Sequence, residues 1–364
     1  MADLIKNIFS EDYIRNLALD IQNAYSPFQV EEFIKSTMDE TWANLELKQR
    51  IRQITINLGK FLPNDYSEAI SIIDKVIVNQ GSWLDGFCMF FPDFVEYFGQ
   101  DVANWDISIP ALGRYTCYAS AEFAVRPFII NHEERMMAQM YAWSKGDNEH
   151  HRRLSSEGCR PALPWGQALV KYKKDPTPIL PILEELKADP AIYVRKSVAN
   201  NLNDISKTHP DLVAKIAKDW YGKDDNTNWI VKHGCRTLLK KGNSEVLAIF
   251  GFSNATAIEV KDFNIGTTSV SIGGDFSFSF TIKTTEETKV RLEYGIDFMK
   301  ANGKQNRKIF QISEILLKAN ETKHYTKNHS FANLSTRKHY PGNHGITLIV
   351  NGVEQGKLNF ELTN

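Results

Sequence analysis

The stretch Tyr193-Val-Arg-Lys-Ser-Val-Ala-Asn-Asn-Leu-Asn-Asp-Ile-Ser-Lys207 predicts a helix with one apolar face and one polar face. Asp189-Pro190 upstream is typical of a helix start, an N-cap followed by proline at the first helical position. The apolar residues recur at the helical period and predict a buried stripe: Val194, Val198, Leu202 and Ile205. The polar face is rich in weak helix formers, which favours a role beyond helix formation: Lys196, Asn200, Asn203, Asp204 and Lys207.

Similar helices recur along the first part of the chain, around Arg114, Arg153, Arg195 and Lys232. They follow one another at steps of 39, 42 and 37 residues, which is the period of HEAT-type helical pairs. Such pairs stack into a solenoid with a concave surface. We therefore expect an all-α HEAT-like repeat solenoid over residues 1–252.

The pattern changes near Phe252, where alternation replaces the helical period. Phe276-Ser-Phe-Ser-Phe-Thr-Ile282 is a period-two strand, and similar runs follow it between turn signals such as Asn351-Gly352. Seven or so short antiparallel strands predict an all-β immunoglobulin-like sandwich over residues 257–364, without a cysteine for an inter-sheet disulfide. The chain is thus expected to be multidomain, with the solenoid followed by the sandwich.

Length and composition limit the class of protein. With 364 residues and a formal net charge of -1, the chain has room for two domains and is not a uniformly basic nucleic-acid binder, although a local basic face remains open. Four scattered cysteines, no signal peptide and no membrane-length apolar run predict a cytoplasmic protein that needs no membrane. His150 and His151 with Cys159 match no standard zinc spacing, so no metal is expected.

Three carboxylates occupy comparable places on successive repeats: Glu122, Glu157 and Asp204. Glu122 is expected in mid-helix, four residues before Arg126, and Glu157 lies four residues after Arg153, so each could form an ordinary surface ion pair. The Asn residues around Asp204 could likewise form a structural ladder between repeats. Stacking of the repeats would, however, bring all three carboxylates to one concave wall.

Cations and one tryptophan accompany the carboxylates. Trp165 follows Pro164 at the expected start of the next helix, and an isolated tryptophan most often packs in the core. The arginine fork suits phosphate oxygens, so the basic and polar residues of the repeats predict a nucleic-acid surface: Arg114, Arg152, Arg153, Arg160, Arg195, Lys196, Asn200 and Lys232. A cationic rim around central carboxylates is typical of an enzyme that acts on nucleic acid.

Three segments carry a resemblance to a known family: Ser120-Ala-Glu-Phe-Ala-Val-Arg-Pro127, Leu154-Ser-Ser-Glu-Gly-Cys-Arg-Pro-Ala-Leu-Pro-Trp165 and the polar helix from Tyr193 to Ser206. At these residues the chain resembles the AlkC branch of the alkylpurine DNA glycosylases, a HEAT-like repeat family related to the AlkD branch. The all-β tail is similar to the immunoglobulin-like domain of one subgroup of that family. The resemblance therefore covers nearly the whole chain.

The resemblance implies a monofunctional DNA-3-methyladenine glycosylase of base excision repair. Such an enzyme hydrolyses the N-glycosidic bond of N3-methylated bases, chiefly 3-methyladenine and also 3-methylcytosine, in double-stranded DNA without base flipping. The family active-site positions fall on Glu122, Glu157, Trp165 and Asp204. The expected partner is duplex DNA with alkylated bases, the expected state a monomer without cofactor, and the expected location the bacterial cytoplasm, associated with the nucleoid.

The chemistry agrees with these residues. An N3-methylated base is cationic and leaves readily, so no strong general acid is required. As the glycosidic bond lengthens, a nearby carboxylate stabilises the positive charge that develops on the sugar and can orient water. Asp204 and Glu157 are our candidates for this role, and Trp165 can pack its π face against the cationic nucleotide.

The tail is slightly basic, with 14 Lys and Arg against 11 Asp and Glu. The loop Lys300–Lys308, which contains Lys304 and Arg307, and the stretch Arg337–His344 could form either a solubilising surface or DNA contacts, and the resemblance favours DNA. The alternative function from another class is a noncatalytic HEAT-repeat scaffold that binds nucleic acid or protein. Hydrolysis of another nucleoside substrate is a third hypothesis.

Overall fold

The computed structural model describes residues 5–79, 87–252, 255–334 and 337–364. Helices extend to Ile249 and strands begin at Ile258. The predicted order, a helical repeat part followed by an all-β part, is confirmed. None of the helices in these four ranges is both long and apolar enough to cross a bilayer.

The helical part contains sixteen α-helices in the ranges described, with short 3-10 turns between some of them. Their bounds are α1 Glu11–Ala24, α2 Val30–Thr37, α3 Leu47–Phe61, α4 Tyr66–Asn79, α5 Phe90–Phe98, α6 Trp105–Tyr115, α7 Val125–Asn131, α8 Glu133–Ser144, α9 Glu149–Gly158, α10 Val170–Lys174, α11 Leu180–Glu185, α12 Ile192–Ile205, α13 Pro210–Trp220, α14 Asp225–Gly234, α15 Arg236–Lys240 and α16 Ser244–Ile249.

The polar helix of the sequence is α12, and it begins later than predicted. Ala191 is its N-cap residue, whereas Asp189 had been expected there. The Asp189 carboxylate instead accepts a hydrogen bond from the Ala191 N–H at 2.8 Å, so it fixes the turn before the helix. The predicted apolar stripe of α12 is confirmed, because all four of its side chains are at most 2% exposed: Val194, Val198, Leu202 and Ile205.

The four helices predicted as repeats lie on α6, α9, α12 and α14, and α12 packs against both α9 and α14. Gly234 permits the close approach of α14 to α12, because a Cβ atom at this position would lie 3.1 Å from the Leu202 side chain. His151 of α9 lies 2.8 Å from the Gly113 carbonyl oxygen of α6 through its Nε2 atom. Each of these contacts therefore joins a helix of one repeat to a helix of the next.

The all-β part has eight strands among the described residues, where about seven were expected. They are β1 Ile258–Ile265, β2 Ser269–Ser271, β3 Asp275–Thr284, β4 Thr288–Met299, β5 Gln305–Leu317, β6 Thr322–Ser330, β7 Gly342–Val350 and β8 Val353–Thr363. One sheet has the order β1-β3-β6 and the other β2-β8-β7-β4-β5. The short pair β2–β8 is parallel, which corrects the expectation of purely antiparallel strands.

Alternation along β3 produces the core between the sheets. Phe276, Phe278, Phe280 and Ile282 are each at most 1% exposed, while the intervening residues face outward. Burial of a large apolar side chain contributes about 1.5–3 kcal/mol, so these four side chains together contribute about 6–12 kcal/mol. The period-two reading of this segment is confirmed.

The chain divides into two compact units. One runs to Thr208 and takes in Gly222–Gly234, which is most of the helical part. The other consists of His209–Tyr221 and Cys235–Asn364, so that α13, α15 and α16 belong with the strands. The sequence-based boundary between residues 252 and 257 stays a prediction.

Candidate active site

The three predicted carboxylates come from two helix ends and one turn. Asp204 is in the last turn of α12, and Glu157 is near the end of α9. Glu122 lies in the turn before α7, which corrects its expected mid-helix position. The chain forms turns at residues 116–118 and 122–124, between α6 and α7, so Glu122 belongs to neither helix.

An unbroken chain of ion pairs joins these carboxylates. Arg153 lies 2.6 Å from Glu122 and 3.8 Å from Glu157, measured between side-chain nitrogen and oxygen atoms. Arg160 Nη1 donates to Glu157 Oε1 at 2.5 Å, and its Nε donates to Asp204 Oδ2 at 2.9 Å. The repeats therefore bring together all three carboxylates, as predicted, with one arginine between each successive pair.

Two further polar groups extend the chain at its ends. Ser120 accepts a hydrogen bond from Arg153 at 2.6 Å and donates one to Glu122 at 2.8 Å. Lys207 Nζ donates to Asp204 Oδ1 at 2.8 Å. Both oxygens of Asp204 are thus engaged by cations.

Burial makes this ion-pair chain energetically demanding. The side chains of Asp204, Glu157 and Arg160 are only 2%, 7% and 9% exposed. Burial lowers the pKa of the Arg160 guanidinium, but the negative charges and hydrogen bonds of the two carboxylates outweigh this, and its pKa is raised above the usual value. Loss of one partner would leave an uncompensated buried charge, which typically costs about 3–5 kcal/mol.

Arg126 has a different partner set from the one predicted. Instead of pairing with Glu122, its guanidinium is fully buried and donates to the carbonyl oxygens of Gln167, Gly158 and Arg160 at 2.5, 2.8 and 3.0 Å. Burial is the main reason that its pKa is lowered to about 10. A surface ion pair at Glu122 and Arg126 is therefore excluded.

Trp165 stands on an exposed turn rather than at a helix start or in the core. The Gly166 N–H donates to the Leu163 carbonyl at 3.1 Å, which closes a four-residue turn with Pro164 and Trp165 at its centre. Trp165 has a φ of 61° and is 72% exposed. A left-handed conformation at this position is usual for glycine, and a bulky residue there costs about 1–2 kcal/mol. Such strain is concentrated at functional sites in proteins.

Lys48 and Tyr193 contact the predicted site residues, and neither was predicted from the sequence as part of the site. Lys48 Nζ, from α3, donates to the Trp165 carbonyl at 2.9 Å and lies 4.5 Å above the Phe123 ring. Arg153 packs over the half-exposed Tyr193 ring at 5.1 Å. Lys48 is 117 residues from Trp165, so no local spacing could have indicated the contact.

Five of the arginines predicted to bind phosphate form ion pairs or hydrogen bonds with other protein groups. Arg152 pairs with the Asp189 carboxylate at 2.7 Å, and Arg195 donates to the Asp189 and Pro190 carbonyls. Arg153 and Arg160 bind the three carboxylates of the ion-pair chain. Arg114 also pairs with Asp74 at 2.7 Å, although its side chain is 46% exposed.

The remaining predicted DNA ligands lie in exposed or half-exposed positions. Lys196 is exposed on α12, and Asn200 is half-buried one turn later. Lys232 is exposed near the end of α14, and Lys304 is exposed just before β5. Arg307 on β5 pairs with Asp297 and Glu354, which occupies both sides of its guanidinium.

The cysteines and histidines near the site form no metal centre in the part of the chain that the structure describes. Cys159 is buried, and burial raises the pKa of its thiol to about 12, so it is a poor nucleophile. His150 packs against the Tyr193 ring, and His151 is bonded to Gly113.

Comparison with known proteins places the chain in a family. It is 47% identical over 362 residues to the YhaZ protein of Bacillus subtilis strain 168, and the match covers 100% of both chains. Its structure is similar to that of the Pseudomonas fluorescens alkylpurine DNA glycosylase AlkC bound to DNA containing an abasic site analog. That match has a TM-score of 0.94, 33% identity and 100% coverage of both chains. The chain belongs to the AlkC family.

Family models divide the AlkC-family chain in the same way as its secondary structure. A model of DNA alkylation repair enzymes matches residues 92–238, which include all three carboxylates and Trp165. A model of the C-terminal Ig-like domain of YhaZ matches residues 259–364. The resemblance drawn from the three sequence segments is thus confirmed, and so is the immunoglobulin-like class of the all-β part.

Proposed function

We propose that this AlkC-family chain is a DNA glycosylase that removes cationic N3-methylated bases, chiefly 3-methyladenine and also 3-methylcytosine, from duplex DNA. One observation carries the proposal. Three carboxylates from successive repeats meet in a buried ion-pair chain, and the same loop that supplies Arg160 holds a strained, exposed tryptophan. An ordinary repeat ladder has no need of an outward tryptophan at positive φ.

The chemistry requires negative charge more than acid catalysis. Methylation at N3 makes the base a cation, so it departs as a neutral molecule without protonation. The sugar then takes on oxocarbenium character, and nearby carboxylates stabilise it electrostatically. Undamaged bases are neutral and leave poorly, so the site selects by charge.

We assign different roles to the two central carboxylates on the basis of their hydrogen bonds. Asp204 has both oxygens bound by cations, so neither is available to take a proton from water, and we assign it the electrostatic role. The shortest contacts of Arg153 and Arg160 with Glu157 both reach Oε1, and we assign Oε2 to the attacking water. Trp165 contributes a cation–π contact of about 0.5–2 kcal/mol to the cationic nucleotide.

DNA binding is assigned to the cations that are most accessible. Arg153 and Arg160 hold the carboxylates, so we assign the phosphate contacts to Arg114, Lys196 and Lys232, with Lys304 in the second unit. Arg152 and Arg195 shape the turn before α12 through Asp189. The exposure of Trp165 supports recognition of the methylated base while it remains in the duplex, without base flipping.

A base-release assay tests the proposed function. The wild-type protein is incubated with randomly methylated duplex DNA, with unmethylated duplex and with free methylated nucleosides, and released bases are separated chromatographically. We expect 3-methyladenine and 3-methylcytosine from methylated duplex alone. Binding to duplex without release of any base would contradict the proposal and support the scaffold function; release from free nucleosides would support a nucleoside hydrolase.

A further inference from the structure

The Trp165 turn has little packing of its own to fix the tryptophan. With 72% of the residue exposed, core contacts cannot set the direction of the indole. The backbone conformation must do so, and that conformation is unfavourable for any residue other than glycine. Something outside the turn therefore stabilises it.

Arg126 holds both ends of the loop that contains this turn. Its three carbonyl acceptors are Gly158 and Arg160, at the end of α9, and Gln167, just after the turn. A buried guanidinium is costly, and neutral carbonyls offset that cost less well than a carboxylate. The planar fork reaches several acceptors at once, which a lysine ammonium cannot do.

Lys48 provides a second contact to the turn. Its ammonium binds the carbonyl oxygen of Trp165 itself, at 2.9 Å. The same group lies over the Phe123 ring, and Phe123 adjoins Glu122 in the chain. Lys48 thus connects the tryptophan turn with the turn that carries the first carboxylate.

We infer that Arg126 and Lys48 are positioning residues, which hold the Trp165 turn in its left-handed conformation so that the indole faces the substrate beside the carboxylates. Neither cation needs to touch DNA for this role. The effect on base release rests on the proposed function, whereas the effect on the turn does not.

A double-mutant cycle tests the inference through the reaction. Lys48→Met removes the exposed cation and keeps the stem, and Lys60→Met on the same helix is the matched control. We expect Lys48→Met to lower the single-turnover rate of base release by about fivefold, since small misplacements of this kind are costly. In a Trp165→Ala background the same substitution should have no further effect, and Lys48→Arg should restore most of the rate.

Hydrogen exchange tests the inference without activity. The Gly166 and Leu169 N–H groups are bonded within the loop, to Leu163 and Pro161. Exchange in the peptide covering residues 158–169 should be at least about fivefold faster in Lys48→Met and Arg126→Lys than in wild type and Lys60→Met, because the bonds that restrain the loop are lost.

The outcomes separate the inference from the proposed function. Unchanged exchange in both variants, or equal rate losses in the wild-type and Trp165→Ala backgrounds, would overturn the inference. A loss of affinity for undamaged duplex together with a smaller salt dependence would make Lys48 a phosphate ligand instead. If the wild type releases no base, the proposed function fails, and the exchange result alone decides whether the two cations hold the turn.

Discussion

At the scale of single residues, the site is defined by groups held in unfavourable states. Trp165 is strained and exposed, and Arg160 is a buried cation between two buried carboxylates. Replacement of such ion pairs by apolar groups is often neutral or stabilising. Their presence along one row of repeat ends is therefore better explained by chemistry than by stability.

Substitution of Trp165 distinguishes a role in base release from a role in stability. Trp165→Gly relieves about 1–2 kcal/mol of backbone strain and adds about 0.5–1 kcal/mol of chain entropy to the unfolded state. We expect the free energy of unfolding in urea to change by no more than about 1 kcal/mol, while base release slows by about tenfold with the loss of the cation–π contact. Destabilisation by about 3 kcal/mol or more would show instead that the indole is structural.

At the scale of elements, the periodic segments could be predicted and the turns could not. The stripe of α12 and the alternation of β3 follow from repeating apolar positions, and both are buried as expected. The turns with Glu122 and Trp165 depend on partners far along the chain. Arg126 reaches Gln167 across 41 residues, and Lys48 reaches Trp165 across 117.

The carboxylates could be predicted together because they occur on successive repeats, although Glu122 lies in a turn and only Glu157 and Asp204 lie at helix ends. Their arginine partners could be predicted only in part. Arg153 and Arg160 were predicted to bind phosphate. In the structure they bind protein carboxylates instead, because the anion that a cation binds depends on local geometry. Spacing in the sequence does not distinguish a cation that binds a protein carboxylate from one that binds a phosphate.

The β-sandwich contains a buried histidine cluster that makes its stability depend on pH. His329 packs among Phe298, Phe310 and Phe331, and its Nδ1 lies 2.9 Å from the Tyr294 hydroxyl. Burial is the main reason that the pKa of His329 is lowered to about 4. Repulsion by the positive charges of the nearby Arg337, His339 and Lys308 lowers it further. The pKa values of His339 and His344 are lowered as well, chiefly by burial.

The sign of the pH effect follows from these shifts. Between about pH 6.5 and pH 4 the unfolded chain binds a proton at His329 that the folded chain excludes, so the free energy of unfolding decreases as the pH falls. We expect a loss approaching about 1.4 kcal/mol per pH unit from this group. Urea unfolding at pH 7.5 and 5.0 measures it. His329→Phe should flatten the dependence, whereas His324→Gln, exposed on the same strand, should not; equal slopes in wild type and His329→Phe would contradict the assignment.

At the scale of the whole molecule, the match to AlkC covers both units end to end. The helical part supplies the carboxylates, the tryptophan and most of the assigned phosphate ligands, and the second unit adds a basic loop that includes Lys304. A net charge of -1 is compatible with DNA binding because binding depends on the local distribution of cations rather than on the net charge of the chain.

If the carboxylate charges drive base release, their removal must slow single-turnover cleavage of duplex DNA containing 3-methyladenine. Asp204→Asn and Glu157→Gln are compared with wild type, and Glu293→Gln, a buried carboxylate paired with Arg291 in β4, is the matched control. We expect each site variant to lower the rate by about 100-fold or more, with duplex affinity within about threefold of wild type, while the control keeps the wild-type rate. Wild-type rates in both site variants would contradict it.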